Sequence, residues 1–360
     1  MSLLLVGCFL YFTAKVERQD FLKTLPAPSI LVGHVDRRNI FSSVVALFNR
    51  AGVENQFPLR ITFKDERGVD AGGLYRDMLS AFWEEAYLHL FDGGSLLAPV
   101  LHPHVDLGVL PVIGKVLSHG YLSDGFLPLK IAFPTLARLL LRYCQISDEL
   151  LVAAFLQTVS LVEANLLNSV LHTSEELCSS DQTKLISLLG RFGSRQLPTR
   201  KNLKQQIVQV ARYEFLTKPS AALQAISSGI PPLQVRFWAS LSVSDFHHVY
   251  VALGASPQRL LEILREPDVM DTNQERVLGY LRQFIGNMRA TEVSRFVRFV
   301  TGSTVCPAGT IAVTFNSEGG AGRRPVAHTC SNSLELPSTY QTYGEFESEF
   351  QAVLTLRVGI

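Results

Sequence analysis

A chain of 360 residues is long enough for two or three hydrophobic cores rather than one. Apolar residues make up 47% of it, and its charges nearly cancel to a formal net of +1. This composition suits a well-buried soluble protein. It lacks the basic excess that holds a phosphate backbone, which argues against nucleic acid as a partner.

The first thirteen residues, Met1 to Thr13, are almost wholly apolar. The run is short of the roughly 20 residues that a membrane-spanning helix needs. Lys15 and Arg18 follow it, whereas a signal peptide carries its basic residues in front, and no small-residue cleavage site is evident. The expectation is a stray or truncated start to a larger protein and no membrane association, so residues 1–33 receive no function.

Further along, Ile40, Val44, Val45 and Phe48 have the spacing of one helix face, which predicts a helix over Arg37 to about Ala51. Leu59-Arg-Ile-Thr-Phe63 alternates as a strand does, Lys64 to Gly73 reads as a polar turn, and a helix is expected from Leu74. Between Gly108 and Leu141 two apolar segments, interrupted by Gly114, Gly120, Gly125 and Pro134, predict packed helices with tight connections. Leu151, Phe155, Val159, Val162, Leu166 and Val170 predict one long helix with an apolar stripe. Thr173 and Glu176 are spaced as the capping box of the next helix, and Asn202 to Leu216 is helical again.

The polar, proline-containing stretch Arg265 to Asn273 reads as a linker, followed by a helical pattern from Glu275 to Phe299. Strand and loop are expected over Thr301 to Leu336, with Ile311 to Phe315 alternating. A last helix is expected from Thr342, whose capping partner is Glu345, to about Leu356.

Five cysteines, Cys8, Cys144, Cys178, Cys306 and Cys330, are scattered without C-x-x-C spacing, and the histidines do not group with them. Reduced thiols in the cytoplasm, with the nucleus as the second option, are expected, with no metal and no cofactor. Cys144 and Cys178 read as small core residues. Cys330 differs, lying in a short polar run two residues after His328. In an extended chain these two share a side. The nearby Arg323-Arg324 pair adds positive potential, which favours the nucleophilic thiolate.

The segment His328-Thr-Cys-Ser-Asn-Ser-Leu-Glu-Leu-Pro337 resembles the active-cysteine motif of HECT-type ubiquitin ligases. Phe296-Val-Arg-Phe-Val-Thr-Gly-Ser303 is similar to the segment that precedes that motif. Thr62 to Gly73, with its Asp70-Ala-Gly-Gly73 turn, and Ile113-Gly-Lys-Val-Leu-Ser-His-Gly120 resemble earlier landmarks of the same family. Pro198 to Asn202 and Ala225 to Pro232 match more loosely. The motifs occur in the family's order from about residue 34 onward.

The resemblance implies an α+β, bilobal architecture. A mostly helical N-lobe would span residues 34–265, with a small helical insertion at 146–216 as the docking surface for a ubiquitin-conjugating enzyme. A hinge would occupy 266–273, and a smaller α/β C-lobe, 274–360, would carry the cysteine. Cys330 would accept ubiquitin from the conjugating enzyme as a thioester and pass it to a lysine of a protein substrate. His328 would support the thiolate or the incoming amine. Backbone donors from Thr329 to Asn332 would face the oxyanion, with Asn332 shaping the loop.

Two departures keep a second reading open. Ser331 stands where many members have phenylalanine, and Arg357 stands fourth from the end, where many also have phenylalanine. A HECT-like module that binds ubiquitin or a conjugating enzyme without transfer would share every other feature. A Cys-His hydrolase would need an orienting Asn or Asp beside the histidine and a cysteine at a helix start.

Overall fold

The computed structural model describes residues 17–25, 31–66, 70–103, 105–173, 176–307 and 309–356. The Met1–Thr13 run, Cys8 and Arg357 lie outside the described residues. The fold is α+β and mostly helical. Among the described residues no helix is long and apolar enough to cross a membrane, and no group of three metal-ligating side chains occurs. Two compact units divide the chain, one of residues 1–84, 119–127 and 248–360, the other of 85–118 and 128–247.

The first unit opens with parallel strands β1 (Leu31–Val35) and β2 (Leu59–Phe63), in register from Leu31 opposite Leu59 to Val35 opposite Phe63. The alternation of β2 is real: Leu59, Ile61 and Phe63 are buried while Arg60 is exposed. The Ile40–Asn49 helix buries Ile40, Val44, Leu47 and Phe48, so Leu47 takes the place expected for Val45. Asp70 explains the acidic turn that follows. One of its carboxylate oxygens accepts from Ile61 N at 2.7 Å, and the other from Gly72 N at 2.7 Å and Leu74 N at 3.1 Å. The buried carboxylate thus ties β2 to the first amides of the Gly73–Leu90 helix, where a negative charge is favourable.

His119, in the Val109–Asp124 helix, is wholly buried. Its ring lies 4.4 Å from that of Phe57, its Nδ1 accepts from Tyr75 Oη at 2.6 Å, and its Nε2 donates to Gln56 O at 2.9 Å. The two bonds suit a neutral imidazole. Burial pushes its pKa down to about 4 from the ordinary 6.5. Between those values the unfolded chain binds a proton that the folded chain refuses. Stability is therefore full above pH 6.5 and declines as pH falls, by about 3 kcal/mol at pH 4. Urea unfolding at a series of pH values checks this, with a shallower slope expected for His119→Gln in that window.

The rest of the first unit is built on a sheet of order β5-β6-β8-β7, from β5 (Leu264–Arg265), β6 (Ile311–Asn316), β7 (Val326–His328) and β8 (Ser333–Pro337). The β5–β6 and β6–β8 pairs are parallel, and β7–β8 is antiparallel. Helices Thr272–Gly286, Ala290–Thr301 and Tyr343–Leu356 share one apolar core with it. Phe346 and Phe350, one helical turn apart, place ring centroids 5.5 Å from each other, and Phe350 lies 5.7 Å from Phe296. The helical pattern from Glu275 to Phe299 is in fact two helices. The chain breaks after Gly286, and Glu292 accepts from Arg289 N at 2.7 Å to start the second. In the stretch read as a linker, Arg265 pairs with Ala312 in the sheet and Asp271 caps the helix that follows.

In the second unit, β3 (Phe91–Gly93) and β4 (Leu97–Pro99) form a short antiparallel pair, and the other regular elements among the described residues are helices. The long helix expected from Leu151 to Val170 is two, Asp148–Thr158 and Leu161–His172. Ser160 supplies the reason: its hydroxyl accepts from Glu163 N while Glu163 returns a bond to Ser160 N, a capping box that starts a new helix. Val162, expected on the buried stripe, is consequently exposed. The box expected at Thr173 and Glu176 spans residues 174 and 175, which lie outside the described residues. The next helix is Ser179–Arg191, and Cys178 caps it by accepting from Asp181 N at 3.4 Å. Cys178 is therefore an exposed capping residue and Cys144 is half-buried, so neither is a core thiol. Gly114 and Gly120 do not interrupt a helix; both lie inside Val109–Asp124.

Candidate active site

The antiparallel register of β7 and β8 sets His328 opposite Ser333 and leaves Thr329 to Asn332 as a four-residue turn. Asn332 closes it with φ of 50°, the left-handed region that asparagine tolerates better than most residues. Ser331 N donates to His328 O at 3.1 Å, and Ala312 N donates to Asn332 O at 3.0 Å, fixing the turn to β6. Ser331 Oγ donates to His328 O at 3.2 Å, so the residue at the departing position is absorbed into the turn. Cys330 stands at the tip as an exposed free thiol.

Because the turn is not extended, the same-side argument for His328 and Cys330 does not apply. His328 is bound instead across the hairpin, its Nε2 3.0 Å from Glu335 Oε2, while Asn316 Nδ2 donates to Glu335 Oε1 at 2.9 Å. The His328 bond first, and Asn316 second, hold the Glu335 carboxyl below the usual carboxylate range. Arg323 is likewise committed elsewhere. It reaches Glu349 at 2.7 Å and Glu345 at 3.3 Å and lies over the Tyr340 ring, so its charge is spent on the final helix.

The turn's other neighbours come from the two remaining motif segments. Arg76, on the Gly73–Leu90 helix and 9% exposed, donates from Nη2 to Thr329 O at 2.5 Å and from Nε to Thr301 O at 2.7 Å. Its Nη1 donates to Asp124 at 3.1 Å. Ser80, one turn further, accepts from Thr304 N at 3.1 Å, and its hydroxyl proton is shared between Arg76 O at 2.9 Å and Gly302 O at 3.2 Å. Arg298 bonds Asp77 at 3.2 Å and Glu84 at 2.8 Å. Two glycines let these backbones meet. A Cβ on Gly73 would lie 2.5 Å from Thr329 Oγ1, and one on Gly302, whose φ is +76°, would lie 2.8 Å from Gly73 O. The Gly72-Gly73 pair thus serves a turn, at Gly72 with φ of +109°, and a close approach, at Gly73. Beside the contact lies a cleft of about 600 Å³, bordered by Leu74, Asp77, Arg298, Thr304 and Thr329.

Reading the sequence singled out Cys330, His328, Thr329 and Asn332 but passed over Arg76, Asp77, Ser80 and Arg298. The signal for the first three was helical spacing, since positions 73, 76, 77 and 80 share one face. Nothing local marks their partners. Among the other described thiols, Cys306 is buried and pushed up to about 11, which keeps it protonated and inert.

An exposed cysteine on a hairpin turn, where three separated motifs meet, invites comparison with proteins that act through such a thiol. Residues 90–357 match the family model of the HECT domain (ubiquitin-transferase), and the chain belongs to that family. Among curated relatives, E3 ubiquitin-protein ligase TOM1 of Saccharomyces cerevisiae is 23% identical over 345 residues, covering 86% of this chain and 10% of that protein. E3 ubiquitin-protein ligase ptr1 of Schizosaccharomyces pombe is 24% identical over an alignment of 380 residues, covering 94% of this chain and 11% of that protein. The chain therefore spans about a tenth of the length of these relatives.

Proposed function

We propose that this chain is the catalytic domain of a ubiquitin-protein ligase in which Cys330 carries ubiquitin as a thioester. The Cys330 thiolate attacks the thioester carbonyl that joins ubiquitin's C-terminal glycine to a conjugating enzyme's cysteine and expels that cysteine as thiolate. A neutral lysine amine of the protein substrate then attacks the new thioester. Cys330 leaves as thiolate, the amine gives up a proton, and an amide remains. Exchange between two similar thioesters is close to thermoneutral, so the domain's work is proximity and orientation.

The observation that carries this reading is the exposed Cys330 thiol at the tip of a turn pinned to β6 and to the Gly73–Leu90 helix. Thr329 and Asn332 shape that turn. His328, bound to Glu335, supports the hairpin rather than touching the thiol. Residues 146–216 are assigned the docking of the conjugating enzyme, for which Leu161, Val162, Ile186 and Leu197 supply exposed apolar side chains. Residues 266–273 would be the hinge. Free thiols at all four described cysteines favour the cytoplasm or nucleus.

Single-turnover loading from charged conjugating enzymes tests the reading. The wild type is expected to form a ubiquitin adduct that reducing agent removes, and Cys330→Ala to form none. A folded wild type that gives no adduct with any donor supports instead the binding module without transfer, the reading motivated by Ser331.

A further inference from the structure

The geometry points to Arg76 as the positioning residue of the Cys330 turn, and to the Cys330 N–H as the donor that Arg76 strengthens for the oxyanion. The inference rests on the thioester reading above and adds to it a residue from the opposite end of the sequence.

Arg76 Nη2 donates to Thr329 O at 2.5 Å, and that carbonyl belongs to the peptide whose N–H is that of Cys330. A bond from a cation to a peptide oxygen draws electron density toward the oxygen and makes the same peptide's N–H a better donor. Within the turn, Ser331 N is already engaged by His328 O, whereas the Cys330 N–H makes no hydrogen bond among the described residues. When a thioester carbonyl is attacked by or at Cys330, its oxygen becomes anionic, and the nearest uncommitted amide is the nucleophile's own. The proton stays on nitrogen throughout, so the step changes no bond beyond those already described.

The guanidinium is held for this task. Its Nε reaches Thr301 O at 2.7 Å and its Nη1 reaches Asp124 at 3.1 Å, and only 9% of the residue is exposed. A planar fork can satisfy three such acceptors at once, whereas an ammonium on a flexible stem cannot hold all three in one direction. Gly73 and Gly302 complete the seat, since a methyl group on either would push the turn or its neighbour away.

The test compares wild type, Arg76→Ala and Arg76→Lys in two measurements. In single-turnover loading, Arg76→Ala is expected to lower the limiting rate at least about tenfold, with the half-saturating donor concentration unchanged within about twofold. Arg76→Lys keeps the charge and is expected to restore less than half of the loss. In amide hydrogen exchange, the Ser331 amide, bonded to His328 O at 3.1 Å, is expected to exchange at least about tenfold faster in Arg76→Ala, with β6 unaffected. Should Arg76→Ala fail to fold, Arg76→Lys carries both measurements, with slower loading and a looser turn as the expected result. Loading that is unchanged or faster, full rescue by lysine, or unaltered exchange in the turn each overturns the inference. Absence of any wild-type adduct counts against the thioester reading alone, because the exchange measurement still reports whether Arg76 holds the turn.

Discussion

Cys330→Ser is expected to convert the ubiquitin adduct from one that reducing agent cleaves into one that resists it, and to lower turnover by about 10³-fold or more. A serine hydroxyl stays protonated at neutral pH, so its attack on the donor thioester is slow. Once formed, the oxygen ester is also a poorer acyl donor than a thioester, because its carbonyl is better stabilised by the neighbouring oxygen. The substitution is nearly isosteric, and the tip of the turn is exposed, so folding should be little affected. Gels run with reductant distinguish the two linkages, because thiols cleave only the thioester, and mild hydroxide, which cleaves both, sets them apart from an amide. A reducible adduct that persists in Cys330→Ser would move the chemistry to another thiol. Exposed Cys178 would be the first to examine, because Cys306 is buried and pushed up to about 11.

The second large effect concerns stability. Gly114 and Gly229 face each other's segments: a Cβ on Gly114 would lie 2.0 Å from Ile226 O, and one on Gly229 would lie 1.7 Å from Pro111 O. Both contacts are to backbone, so no side chain can swing aside. Neither glycine needs a left-handed φ; each is required because the Val109–Asp124 and Ser220–Ser228 helices approach closely there. Alanine at either position must separate the two segments. The expected cost is about 3 kcal/mol or more, at the upper end of overpacking effects. Urea unfolding midpoints measure it. The double variant should cost clearly less than the sum, since a separation made for one methyl group accommodates the other. Strict additivity would mean that the two glycines relieve independent contacts.

Cys330 and its turn were legible because a polar run between apolar strands is a local pattern and because its residues resemble a family motif. Strand β2, the Ile40–Asn49 helix and the Thr342-capped final helix were legible for the same local reason, as periodicity and capping act over three or four residues. Where local signals conflicted, reading failed in a definable way. The stripe from Leu151 to Val170 has helical spacing throughout, yet Ser160 and Glu163 cap a new helix in its middle, and the short-range bonds prevail over the periodicity. Gly114 failed in the opposite sense. Glycine inside a helix reads as a break, but here packing against Ile226 supplies the reason for it.

By itself, then, the sequence determined the helices and strands whose periodicity and caps agree, that the chain buries a large core, and that Cys330 is the thiol to watch. The tertiary structure decided the surroundings of that thiol. It turned His328 toward Glu335, spent Arg323 on Glu345 and Glu349, and brought Arg76 against Thr329. These contacts join residues up to 253 positions apart. Their bonds depend on where whole elements settle in a shared core, which no window of neighbouring residues encodes.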